Sequence, residues 1–176
     1  MEMDTLSLNK YQHPLVASGK QIQSGRPRPP FIEFFINGTP LSALIDDFYQ
    51  SKGTILDNWI GVLGTSKNAK VDIIKVKQLL GKTVTDKEIK QVFPSTFTDL
   101  ELQYETACIL EELEDPEILI YCCAECGSRD CGGIAVAISR MDDKVIWTIK
   151  EGSRELQFAF NKHLYFNVLN GYMEKL

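Results

Sequence analysis

Four of the chain's five cysteines fall within thirteen residues, Tyr121-Cys122-Cys123-Ala124-Glu125-Cys126-Gly127-Ser128-Arg129-Asp130-Cys131-Gly132-Gly133. Cys123, Cys126 and Cys131 make a Cys-x2-Cys-x4-Cys pattern at the end of the apolar run Ile118-Leu119-Ile120-Tyr121. Three chemistries fit such a cluster. Thiolates are soft ligands, and a Cys-x2-Cys step is the spacing of a zinc knuckle. A structural zinc site takes four ligands, however, and this turn offers three. Cys122 alternates to the opposite face of an extended strand, Cys108 and His163 lack motif spacing, and no second Cys-x2-Cys follows. A redox couple of Cys123 and Cys126 works best where a helix N-terminus lowers the first thiol's pKa. Here a glycine turn follows instead, and the Glu125 charge is expected to raise that pKa. The simplest reading is that small thiols fill a tight glycine-rich turn beside the core. It calls for no metal ion and no cofactor.

No catalytic residue is expected either. Of the two histidines, His13 lies in a polar N-terminal stretch and His163 on the apolar face of a C-terminal helix, where a lone histidine is a satisfied core residue. The sequence contains no Gly-x-Ser-x-Gly, P-loop or Gly-x-Gly-x-x-Gly motif. The pair Asp46-Asp47 reads as the exposed face of a helix.

The elements that must position the cysteines are mixed. A chain of 176 residues with 44% apolar and 24% charged content suits one domain with its own core. No apolar run spans a bilayer, and the polar start gives no signal peptide, so a cytoplasmic location is expected. Residues 1–30 read as an extended arm ending in Gly25-Arg26-Pro27-Arg28-Pro29-Pro30, and residues 31–176 as a single domain. Ile32 to Ile36 reads as a strand closed by Asn37-Gly38, with Thr39 as N-cap and Pro40 as first residue of a helix carrying Leu41, Leu44, Ile45 and Phe48. Asn58 to Leu63 reads as a strand, and Val71 to Leu80 as helix or strand. Thr85 and Glu88 form a capping box, and Glu101 to Leu110 is ambiguous. Ile118 to Cys123 is a strand, Ile134 to Ile138 and Val145 to Ile149 a hairpin about Met141-Asp142-Asp143-Lys144, and Leu156 to Tyr172 a helix or a strand then a helix. Without a βαβ rhythm, the fold class is α+β, an antiparallel sheet with helices packed on one face and an extended N-terminal arm.

Several of these segments together resemble a family of small uncharacterised bacterial proteins: Phe34 to Leu41 with its Asn-Gly turn, Gly61-Val62-Leu63-Gly64, Leu79-Leu80-Gly81, the Tyr-x-Cys-x-x-Cys-Gly…Cys-Gly turn from Tyr121 to Gly132, and the hairpin Val145-Ile146-Trp147. The resemblance implies little function; its loose oxidoreductase label has no cofactor motif beside it here.

Charge points elsewhere. The net charge is −5 and the pI near 5.1, which disfavours a phosphate backbone and favours a basic protein partner. Eight of the 24 carboxylates fall between Asp99 and Glu117, with no Lys or Arg among them. Glu111-Glu112-Leu113-Glu114-Asp115-Pro116 reads as a loop tip, where binding residues concentrate. By type and charge the chain also resembles immunity proteins of bacterial toxin systems, an analogy rather than a motif match. That resemblance implies a protein that neutralises a basic, nuclease toxin by occluding its active site, without touching nucleic acid or membrane. Glu105, Glu111, Glu112, Glu114 and Asp115 would supply the carboxylates, and Tyr104 or Tyr121 an aromatic anchor. The alternative is a small zinc or thiol protein built on Cys123, Cys126 and Cys131.

Overall fold

The computed structural model describes residues 2–22, 28–127 and 129–176. Leu6–Tyr11 forms β1, which pairs antiparallel with β2, Phe31–Ile36, from Leu6 opposite Ile36 to Tyr11 opposite Phe31. Part of the stretch set apart as an arm is thus bound into a sheet, because Leu6, Leu8 and Tyr11 pack on the core while the backbone pairs. His13 caps a single helical turn, α1, Pro14–Ala17. Residues 25–27 of the proline-rich segment lie outside the described residues.

At the end of β2 the Asn37-Gly38 pair takes positive φ at both positions, 51° and 80°, the geometry of a type I′ hairpin turn. The turn folds Thr39–Pro40 back as a two-residue strand, β3, against Phe35 and Ile36. Helix α2, Leu41–Tyr49, therefore starts one residue later than the sequence suggests, with Pro40 rather than Thr39 at its N-cap.

A second sheet is a five-stranded antiparallel meander: β4 Trp59–Gly61, β5 Glu117–Cys123, β6 Gly133–Arg140, β7 Lys144–Glu151 and β8 Arg154–Asn161. The two sheets meet at both margins. Asp4 bridges to Phe160, and the Ile32 amide donates to the Leu63 carbonyl at 2.9 Å. Between them lies the aromatic core, where Phe34, Phe160 and Tyr165 pack against Trp147. The Trp147 indole donates to the Tyr165 hydroxyl, which donates on to the Leu79 carbonyl.

The remaining helices are α3 Ala69–Leu80, α4 Asp86–Lys90, α5 Asp99–Glu114 and α6 Lys162–Met173. The ambiguous stretch before Gly81 is helical because Asn68 caps its start and Gly81, at φ 72°, closes it. Buried Asp72 on α3 accepts from the Gly64 amide at 2.8 Å and the Tyr172 hydroxyl at 2.5 Å, tying β4, α3 and α6 together. The architecture is α+β with antiparallel sheets. Among the described residues no helix is long and apolar enough to cross a membrane.

Candidate metal centre and the acidic helix beside it

Strand β5 carries the apolar run into the sheet and delivers Cys123 at its end, opposite Trp59 on β4. Just past it the Ala124 amide donates to the Asn58 carbonyl at 2.9 Å, and the Gly127 amide closes a turn on the Cys123 carbonyl at 2.8 Å. A 3-10 turn, Arg129–Cys131, then leads through Gly132 into β6. Gly132 sits at φ 92°, with the Trp59 ring edge 3.3 Å from where a Cβ would stand, so the chain turns here only as glycine. Gly133 meets a harder limit: a Cβ there would clash with the Tyr121 carbonyl and the Leu119 side chain.

This path brings the sulfurs of Cys123, Cys126 and Cys131 within 4.8 Å of one another. Cys126 and Cys131 are 3.3 Å apart. With zinc–sulfur bonds of about 2.3 Å, sulfurs at the corners of a tetrahedron lie about 3.8 Å apart, so one pair at 3.3 Å and the others at no more than 4.8 Å are close to the spacing an ion requires. Cys123 is half-buried, and Cys126 and Cys131 are exposed. That exposure overturns the reading of small buried thiols packing a turn. Only Cys122 matches it, buried with its sulfur 3.7 Å from the Ile60 carbonyl on the other side of the strand.

The backbone favours a thiolate at Cys123. Amide N–H groups of Cys126 and then Glu125 point at its sulfur and lower its pKa, the reverse of the effect expected from the Glu125 charge. Cys131 is pushed up to about 11, first by its hydrogen bond with the Cys126 thiol and then by that with Cys123. Three convergent thiols cannot all ionise unless a cation joins them.

Glu111 to Glu114, expected in a loop tip, form the last turn of helix α5, and only Asp115-Pro116 make the connection to β5. The Thr98–Glu101 capping box that opens the helix is a signal in the sequence that resolves the ambiguous stretch Glu101 to Leu110. The correction scatters the proposed carboxylates. Glu111 and Glu114 face outward with Tyr104, whereas Glu105 and Glu112 lie on the half-buried side, and Asp115 caps the end and accepts from the Glu117 amide at 2.8 Å. Tyr121 is excluded as an anchor for a partner. It is fully buried, its hydroxyl 2.5 Å from the Glu33 carboxylate. Tyr104 is 68% exposed and Leu100 76%, and no residue of α5 is fully buried. The Tyr104 phenol is held up first by the Cys108 thiol one turn on, then by the charge of Asp130 in the cysteine turn.

Two polar features escaped the sequence. Glu33, an acid inside the apolar run Phe31-Ile32-Glu33-Phe34-Phe35-Ile36, is fully buried. Its Oε1 accepts from the Tyr121 hydroxyl and the Phe34 amide, Ser42 also lies by the carboxylate, and Oε2 has no well-formed partner. Burial pushes its carboxyl up to about 7 against the pull of those hydrogen bonds. The second is His13, buried rather than exposed in an arm. Its Nδ1 accepts from the Leu15 amide, leaving Nε2 to donate to Asp57 at 2.8 Å. Both ring nitrogens are engaged, so His13 is structural. His163, expected in the core, is instead exposed beside Asn167.

No family model, curated protein or solved structure matches this chain.

Proposed function

We propose that this chain is a metal-binding protein whose Cys123, Cys126 and Cys131 thiolates hold a thiophilic divalent ion, zinc by class, leaving a fourth position for water or an added ligand. The observation that carries the reading is the convergence of three sulfurs within 4.8 Å on one turn. Exposure of two of them supports it, since the ion can enter without unfolding the sheet. Two acidic neighbours, Glu125 and Asp130, are also of the right charge for a cation. The experiment is metal analysis of the chain purified under reducing conditions, followed by cobalt substitution. The reading expects one equivalent of metal and an intense thiolate-to-cobalt charge-transfer band, both lost in Cys126→Ser. A wild-type chain that takes neither zinc nor cobalt ends it.

A second reading has its own observation: α5 presents Tyr104 and Leu100 amid outward carboxylates, with no basic residue along its length. We infer that this face docks a basic protein, as an immunity protein docks a nuclease toxin. Glu111 and Glu114 steer the encounter and Tyr104 anchors it. Reversing both charges, Glu111→Lys with Glu114→Lys, slows association with a co-purifying basic partner and flattens its salt dependence. Unchanged association kinetics removes this reading. Both readings place the chain in the reducing cytoplasm, where thiols persist.

A further inference from the structure

Cys126 and Cys131 stand closer to each other than the spacing of a bound ion asks, with their sulfurs 3.3 Å apart. A disulfide needs about 2.05 Å between sulfurs, so little more than an ångström of closure separates this contact from a bond. Both side chains are exposed, which gives an external disulfide access. Neither lies in a strand; they belong to the connection between β5 and β6, with Gly127 and Gly132 in left-handed backbone after each of them. The turn can therefore tighten without disturbing the sheet ladder. The 3.3 Å contact joins Cys126 to Cys131, whereas sequence spacing singles out Cys123 and Cys126; the Cys123 sulfur lies within 4.8 Å of both.

We propose that Cys126 and Cys131 form a reversible disulfide by exchange with a low-molecular-mass disulfide, and that closing it expels the metal ion. The inference rests on the metal reading above. One thiolate of the pair attacks a sulfur of the external disulfide R–S–S–R; that S–S bond breaks and one RS⁻ leaves. The second protein thiolate attacks the mixed disulfide, forming the Cys126–Cys131 bond and releasing the second RS⁻. The two protein sulfurs give up two electrons, and the external disulfide takes them as two thiolates. The divalent ion keeps one of its three sulfur ligands, Cys123, and departs, its charge balanced by the two thiolates formed.

The test uses the full chain loaded with zinc and titrated with glutathione disulfide. Released zinc is read with a chromogenic chelator, and the protein by intact mass and peptide mapping. The expected result is one zinc released per chain, a loss of two hydrogens, a peptide linked through Cys126 and Cys131, and recovery of zinc binding on reduction. Cys131→Ser should stall as a glutathione adduct on Cys126. Cys123→Ser, which cuts the metal site and not the couple, should still form the link. Zinc retained at every glutathione disulfide concentration overturns the proposal, as does a link that runs through Cys123. A chain that forms the Cys126–Cys131 link yet never takes zinc overturns the coupling too, and the mapped peptide shows that the metal reading was the part that failed.

Discussion

Tyr121 and Cys123 are separated by one residue on β5, and their surroundings are opposite. Tyr121 is fully buried, donating to a buried Glu33 carboxyl that is pushed up to about 7. Cys123 stands at the rim, two residues further on, with two exposed thiols for neighbours. In the interior a polar group must find a partner or keep its proton, since a lone charge there costs several kcal/mol. At the rim, water solvates whatever the thiols leave unpaired, so they can converge with little cost to folding. One strand serves both: its buried half fixes position, and its exposed end is left available for chemistry. If this division holds, changes near Glu33 act on stability, and changes at the thiols act on metal and redox behaviour.

The largest effect expected on the buried side is a dependence on pH. The folded carboxyl of Glu33 binds its proton up to about pH 7, and the unfolded one only to about 4.5. Between these values the native state holds more protons, so stability is full below pH 4.5 and declines as pH rises through 7. That displacement corresponds to about 3 kcal/mol. Denaturant melts at closely spaced pH values, compared with Glu33→Gln, isolate the contribution, because the amide cannot ionise. A wild-type profile parallel to that of Glu33→Gln across pH 5–7 would place the carboxyl in contact with water and break the comparison.

Two smaller effects sharpen it. Gly133→Ala puts a methyl group against the Tyr121 carbonyl and Leu119, where backbone has to give way; overpacking of this kind costs about 2–3 kcal/mol. Gly133 pairs with Cys122 between the two regions, so this substitution alone should disturb both, lowering the melting temperature and metal uptake together. Tyr121→Phe should cost about 1–2 kcal/mol by leaving Glu33 short of a donor. Loss of that hydrogen bond, which lowers the Glu33 pKa, should also carry the pH-sensitive window above 7. Metal uptake by Tyr121→Phe should match wild type, and a shared loss would show that the two ends of β5 are coupled.

Legibility in the sequence divides along the same line. Much of both sheets could be read because their strands alternate or are continuously apolar and their turns carry their own residues, as at Asn37-Gly38 between β2 and β3 and Met141 to Lys144 between β6 and β7; β8 could not be told from the start of the last helix. The three cysteines were visible as a pattern. Their convergence was not, since it depends on where Cys131 returns after a 3-10 turn. Glu33 was overlooked because one carboxylate in an apolar run reads as an edge residue until Tyr121, 88 positions away, is seen to meet it. Helix α5 was ambiguous over Glu101 to Leu110, and its last turn read as a loop tip, for a local reason. Its acids mask a weak apolar stripe, Leu102, Ile109 and Leu113, which is nowhere fully buried.

The smallest expected effect on stability is the most specific one. Cys126→Ser or Cys131→Ser replaces an exposed sulfur with an oxygen of similar shape, removing no buried apolar contact. The metal-free variant should therefore unfold within about 0.5 kcal/mol of the metal-free wild type. The same substitution takes one of only three sulfurs from the ion, so zinc uptake should fall from one equivalent to none under competition with a chelator of moderate affinity. The two numbers are informative only as a pair. A large loss of stability without metal would mean that the thiols hold the turn together, as the packing reading supposed. Unchanged zinc uptake would mean that the ligands lie elsewhere. Only a stable variant that has lost its metal leaves the rim as a site for chemistry and the interior as its support.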